Sequence, residues 1–168
     1  MRPTARFSGV FLTVTLLLAS LATQAFAKNP NCSEVGGAIL TNVGGFGQVD
    51  NHLTTLGVAT GDLKGAIGVE IQGINSTSTV FTVQHHWVTD TGETLTIDQA
   101  QAKGMFVASG LLAITEYKFH LSGGTGRFAN ATGDLSAIGE LDFNTGNAIL
   151  RYSGQVCSSA QEKRDGKD

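Results

Sequence analysis

From Asn31 onward the chain contains no proline: both of its prolines, Pro3 and Pro30, precede that point. The same stretch carries all but one of the 22 glycines, set between short runs rich in Thr, Val and Ile. Proline cannot donate to a hydrogen-bonded ladder and is kept out of central strands. A long proline-free segment punctuated by glycine therefore constrains the chain to many strands joined by tight turns.

Eight strands are expected, over Val35–Asn42, Leu53–Thr60, Leu63–Ile74, Ser78–Thr89, Glu93–Ala102, Leu111–Leu121, Gly133–Phe143 and Asn147–Cys157. Thr60-Gly-Asp62, Asp90-Thr-Gly92 and Asn144-Thr-Gly146 supply the left-handed positions that hairpins need. Short connections make consecutive strands antiparallel neighbours. With no helix of useful length to cover an edge, the economical solution is closure. The fold class is all-β: a single eight-stranded antiparallel up-and-down barrel.

Alternation assigns the two faces. Leu63, Ile67, Val69 and Ile71 share an inner side, opposite Lys64, Glu70 and Gln72. Thr79, Phe81, Val83, His85 and Trp87 point in, as do Ala113, Thr115, Tyr117, Phe119 and Leu121. Leu135 is placed inside on the seventh strand. On the last strand Ala148, Leu150, Tyr152 and Val156 face in and Arg151 faces out.

Residues 1–27 read as a leader rather than part of the fold. Arg2 and Arg6 precede an apolar run, Val10 to Leu21, and Ala25-Phe-Ala27 is a small-x-small cleavage site. The run is short for a bilayer span. The barrel domain then occupies 28–157, and the polar, aperiodic 158–168 reads as a disordered tail. Losing Arg2 and Arg6 takes the formal net charge from −3 to −5. An acidic chain without basic runs is a poor partner for nucleic acid or an anionic membrane. Cys32 and Cys157, the only two cysteines, lie at opposite ends of an exported domain. One disulfide is expected there rather than two reduced thiols. Its loop of 157 − 32 = 125 residues is worth about 4–5 kcal/mol of chain entropy. The location expected is secreted or periplasmic.

The stretch Gly123-Gly-Thr-Gly-Arg-Phe-Ala-Asn-Ala-Thr-Gly133 joins two alternating runs. Gly123, Gly124 and Gly126 let the chain turn sharply off a strand, Phe128 can plug a barrel mouth, and Gly133 restarts a strand. Gly124-x-Gly126-x-x-Ala129 formally matches a dinucleotide fingerprint, but a strand follows at once where that motif needs a helix. Together with the final Arg151-Tyr-Ser-Gly154 strand, the stretch resembles the allene oxide cyclase-like and dirigent-like barrels, of calycin type. Asp90-Thr-Gly-Glu-Thr-Leu-Thr96 is similar to secreted bacterial members. The resemblance implies the same eight-stranded barrel, and the possibility of a homo-oligomer. It supplies no active-site residues, because it lies in the closing segment.

Chemistry is therefore sought on the inner face. His85 and His86 point to opposite sides of one strand and cannot share a metal. With His52 and His120 scattered, neither metal nor cofactor is expected. His85 is either a polar hook in an apolar cavity or a general base, or else a core histidine satisfied by a hydroxyl such as Thr115 or Tyr117. Glu140 and Asp142 fall on the charged outer face. Phe81, His85, Trp87, Tyr117, Phe119 and Tyr152 are the candidate cavity residues. Small inward residues such as Gly65, Ala113, Ala137, Gly139 and Ala148 fit either a hollow barrel or a flattened, filled one. The leading functional expectation is a secreted barrel that binds a small apolar molecule without catalysis. Next comes a structural or oligomeric interaction module. A cyclase- or isomerase-like enzyme, with His85 or Tyr117 as its polar group, is implied by the resemblance alone.

Overall fold

The computed structural model describes residues 31–42, 48–49 and 51–158. The expected leader lies outside the described residues, as does all of the expected tail but Ser158. Strands run β1 (Cys32–Asn42), β2 (Gln48–Val49), β3 (His52–Ala59), β4 (Gly65–Asn75), β5 (Val80–Thr89), β6 (Thr94–Ile97), β7 (Ala100–Ala108), β8 (Leu111–Gly124), β9 (Thr132–Asp142) and β10 (Asn147–Cys157). Single 3-10 turns occur at Gly61–Leu63 and Gly126–Phe128.

These strands make an eight-membered antiparallel barrel. β6 and β7 occupy one place between β5 and β8, each pairing with both. β2 is a two-residue addition to β3. Closure comes through β1, which pairs with β10 from Cys32↔Cys157 to Asn42↔Asn147 and with β3 from Ile39↔Ala59 to Asn42↔Leu56. The Cys32–Cys157 disulfide forms at the end of the β1–β10 ladder.

Four details differ from the sequence reading, each for a local reason. The expected strand Glu93–Ala102 is broken at Asp98–Gln99 and continues to Ala108. Just before the break, between Thr96 and Ile97, the ladder shifts register against β8, and at the break Asp98 N donates to His120 O. Leu63 belongs to a 3-10 turn, although its side chain is buried as expected. Thr79 lies outside β5 with φ of 52°, a turn position. In β8 the register against β9 slips between Ile114 and Lys118. That irregularity changes the parity of the strand: Leu112 and Ile114 are buried before it, Tyr117, Phe119 and Leu121 after it. Ala113 is thus only half-buried and Thr115 is exposed, although the alternation put both inside.

The two ends of the barrel differ. At one end lie the disulfide, the Gly61–Leu63 turn, the Thr89–Glu93 turn and the Gly-rich segment. Gly126 has φ of 57°, and a Cβ there would sit 2.8 Å from Glu93 Cγ, so glycine suits both the conformation and the space. Glu93 ties this end together. Its carboxylate accepts from Thr91 Oγ1 (2.7 Å) and Arg127 N (3.2 Å) and pairs with Arg127 Nε at 3.0 Å. Thr94 N donates to Thr125 Oγ1, and Thr125 N donates back to Thr94 O. Phe128 and Ala131 are thereby held in the core. The other end carries the β4–β5, β7–β8 and β9–β10 hairpins. Asp142, half-buried, caps the last of these by accepting from Asn144 N and Thr145 Oγ1.

Candidate functional site

β5 carries Phe81, Val83, His85 and Trp87 on its inner face at period two, all buried. Followed from the hairpin end inward, they pass through two environments. Phe81, Val83 and His85 line an apolar cavity of about 60 Å³, with Thr41, Thr55, Val69, Ile71, Ala102, Ile114, Tyr117, Leu141, Ala148 and Leu150 in its wall. Trp87 lies beyond it, in the packed end.

His85 and Tyr117 set the chemistry of the cavity. Tyr117 Oη, on β8, is 2.6 Å from His85 Nε2, on β5, and both residues are buried. The rings stack with centroids 5.7 Å apart, and Phe119 lies 4.9 Å from the imidazole. Burial disfavours the charged imidazolium and lowers the His85 pKa to about 4, and the nearby His86 adds to the effect. Burial likewise raises the Tyr117 pKa, so its phenol keeps its proton. The pair is neutral at pH 7. A phenol is the better donor and a neutral imidazole nitrogen the better acceptor, so Tyr117 O–H donates to Nε2 and the His85 proton sits on Nδ1. Nδ1 is buried and has no hydrogen-bond partner.

The remaining candidates lie elsewhere. Trp87 Nε1 donates to Leu63 O at 2.8 Å. Tyr152 O–H donates to Thr60 O (2.8 Å) and accepts from Leu63 N (3.0 Å). The two rings meet edge-on at 5.6 Å. Both side chains are fully buried with their polar atoms occupied, and neither lines the cavity. Phe119 packs behind His85 and Tyr117 without reaching the wall. Gly123, Gly124, Gly126, Phe128 and Gly133 belong to the segment that closes the opposite end. Among these wall residues, Thr41, Thr55, Ala102, Ile114 and Leu141 were not singled out in sequence. Alternation is ambiguous in Thr-rich strands, and the β8 irregularity hides Ile114.

A second polar cluster lies on the outer wall. Glu70 faces outward, as expected, yet is only 4 % exposed. His86 Nε2 is 3.1 Å from one of its oxygens and His52 Nδ1 is 2.8 Å from the other. The His86 hydrogen bond, with smaller contributions from Gln72 and His52, holds the carboxyl below its usual range. Among the described residues no three of His, Cys, Asp and Glu are grouped to hold a metal ion, and no helix is long and apolar enough to cross a membrane.

No family model and no curated protein matches this chain. Among solved structures it is similar to a pterocarpan synthase dirigent protein, with 16% identity over 76% of this chain and 91% of that one, at a TM-score of 0.46.

Proposed function

We propose that this is an exported, non-catalytic barrel that takes a small, neutral, largely apolar molecule, or one end of a larger one, into its hairpin-end cavity. The observation that carries the reading is the apolar cavity lined by Phe81, Val83, Ile71, Ile114 and Leu150. Its volume of about 60 Å³ sets the scale. Pockets for drug-sized ligands run from about 300 Å³, so the guest, or the part of it held, is a group of a few heavy atoms. Catalysis has less support: His85 and Tyr117 are both neutral, and among the described residues no charged partner activates either. The disulfide and the leader-like residues 1–27 support export, to the extracellular space or periplasm.

Xenon tests the cavity directly. Methyl NMR under xenon pressure is expected to shift Ile71, Ile114 and Leu150 and to leave Leu121, at the packed end, unmoved. Unshifted cavity methyls would end this reading.

An interaction module is the second reading, favoured by the outer wall. Leu40 sits between Ile149 of β10 and Val58 of β3 in the ladder, and all three are 41–51% exposed. Light scattering separates the two: an oligomer that dissociates on Val58→Lys supports the second reading, and a monomer at all concentrations argues against it.

A further inference from the structure

We propose that the tip of the β7–β8 hairpin is a docking element for an uncharged lipid surface, which the barrel meets with its hairpin end. The proposal does not depend on what the cavity holds. A strand packed against a core has every second side chain covered. Ala100, Ala102 and Gly104 follow that rule in β7, and then it stops. Met105, Phe106 and Val107 are 57–58% exposed in succession, and Ala108 is exposed as well. Both faces of the hairpin are therefore bare, and it projects past the barrel wall with apolar side chains on each. Its own ladder continues meanwhile, with Met105 opposite Ala113, Phe106 opposite Leu112 and Ala108 opposite Leu111. Neighbouring turns hold it in place: Gly104 N donates to Thr79 O, Phe143 N to Gly110 O and Asn144 Nδ2 to Ser109 O. Ile74 and Phe143, 57% and 47% exposed, extend the apolar surface across those turns.

Charge and shape identify what covers this surface. Lys103 and Glu116, both exposed, stand opposite each other at the base of the tip. From Gly104 to Thr115 no residue is charged. Neither strand carries another charge from that pair to the turn, so the pair marks where the apolar tip begins. The β9–β10 turn adds only Asp142, whose carboxylate already accepts from Asn144 N and Thr145 Oγ1. An anionic surface is held by clusters of basic residues, and this end offers one lysine faced by a glutamate. Uncharged headgroups suit it. From Met105 to Ala108 the strand rises roughly 10 Å, which matches the depth of about 5–10 Å to which interfacial elements settle at the headgroup and acyl boundary. A groove on a protein, or a second copy of this chain, would cover one face of the hairpin and leave the other in water. A lipid surface surrounds both faces and requires no complementary shape.

The test floats the protein with vesicles of phosphatidylcholine alone. It is expected to rise with them, as well at high salt as at low, and no better when part of the lipid is anionic phosphatidylglycerol. Phe106→Ser combined with Val107→Ser is expected to lower the partition coefficient by about tenfold or more. Val58→Lys, on the outer wall, is expected to leave it unchanged. Residues 1–27 are common to all these proteins and cannot produce a difference between them. In the wild type, a spin-labelled lipid is expected to broaden the Met105 and Val107 methyl resonances and to spare those of Val58 and Ile149. This second measurement needs no variant. A protein that stays out of the vesicle fraction overturns the proposal, as does a serine variant that floats equally, or broadening at Val58 and Ile149 in place of the tip. Self-association that the serine variant abolishes, with no vesicle binding, would make the occupant a second copy and overturn it too. The xenon shifts of the cavity methyls are expected to be the same in the serine variant, so the ligand reading stands or falls separately.

Discussion

Trp87 and His85 are two residues apart on one face of β5, yet one has its polar atom satisfied and the other does not. The Trp87 N–H reaches the Leu63 carbonyl, and the Tyr152 hydroxyl reaches Thr60 and Leu63. Those main-chain groups are free because Gly61–Leu63 is a 3-10 turn rather than a strand. At the level of His85 one flank is the break between β6 and β7, and the main-chain carbonyl it frees, Ile97 O, is taken by Gln84 Nε2. Only another side chain can serve there, and Tyr117 serves one nitrogen of two. The packed end is dry and satisfied because irregular backbone turns inward to meet it. The other end is left hollow, with one donor lacking an acceptor.

The largest test of this contrast falls on the packed end. Replacing Cys32 and Cys157 with serine releases a loop spanning 125 residues, and urea denaturation is expected to show a loss of about 4–5 kcal/mol. Trp87→Ala is expected to cost about 3–5 kcal/mol, since it opens a void and also leaves the Leu63 carbonyl unpaired. Ile71→Val, in the cavity wall and half-buried, is expected to cost only about 0.5–1 kcal/mol. Equal losses at the two sites would remove the contrast.

The pH dependence sharpens it. His85 has a folded pKa of about 4 against an ordinary value of 6.5. Above about pH 6.5 neither folded nor unfolded imidazole is charged, and the contribution to stability is whole. As pH falls toward 4 the unfolded chain takes up a proton that the native state refuses, and stability declines. Below that both states are protonated and this decline ends, having removed about 3 kcal/mol. His85→Phe is expected to flatten stability across this window. Glu70, whose pKa is also lowered, loses its contribution only as pH falls below the ordinary carboxylate value of 4.5 and through its own folded pKa. Glu70→Gln should therefore alter the acid limb alone. A slope between pH 6.5 and 5 that survives in His85→Phe would place the titrating group elsewhere.

Much of this barrel was legible in the sequence because alternation is a property of adjacent residues. Phe81, Val83, His85 and Trp87 announce their face by their order, and Asn144-Thr-Gly146 announces its turn. Features that depend on two strands at once were hidden. The β8 irregularity follows from register against β9, so Ala113 and Thr115 were read inward and Ile114 was passed over. Glu70 was placed on the outer face, but its burial there was hidden because its cover, His52 and His86, comes from the two flanking strands. The His85–Tyr117 pair was partly visible, as a histidine wanting a hydroxyl, but choosing Tyr117 over Thr115 required knowing where β8 slips. The division between packed and hollow ends was not visible at all. Whether Leu63 offers a free carbonyl depends on a 3-10 turn that the strand pattern masked.

A change of sign is expected when one substitution is compared at the two ends. Ala102 in β7 pairs with Phe81 and Tyr117 and lines the cavity. Ala131, 1% exposed, sits in the core behind the Phe128 plug. Alanine to valine adds two methyl groups in each case. At Ala102 they enter open space, burying apolar surface in a β-branched residue suited to a strand, and stabilisation of about 0.5–1 kcal/mol is expected. At Ala131 no such space exists, and the same groups must displace packed neighbours at a cost of about 1–3 kcal/mol. Opposite signs in thermal or urea unfolding, with the xenon shifts of Ile71 and Ile114 reduced in Ala102→Val alone, would tie the hollow to binding and the packed end to stability. If both variants lost stability, the barrel would be filled throughout, and the room assigned to a guest would not exist.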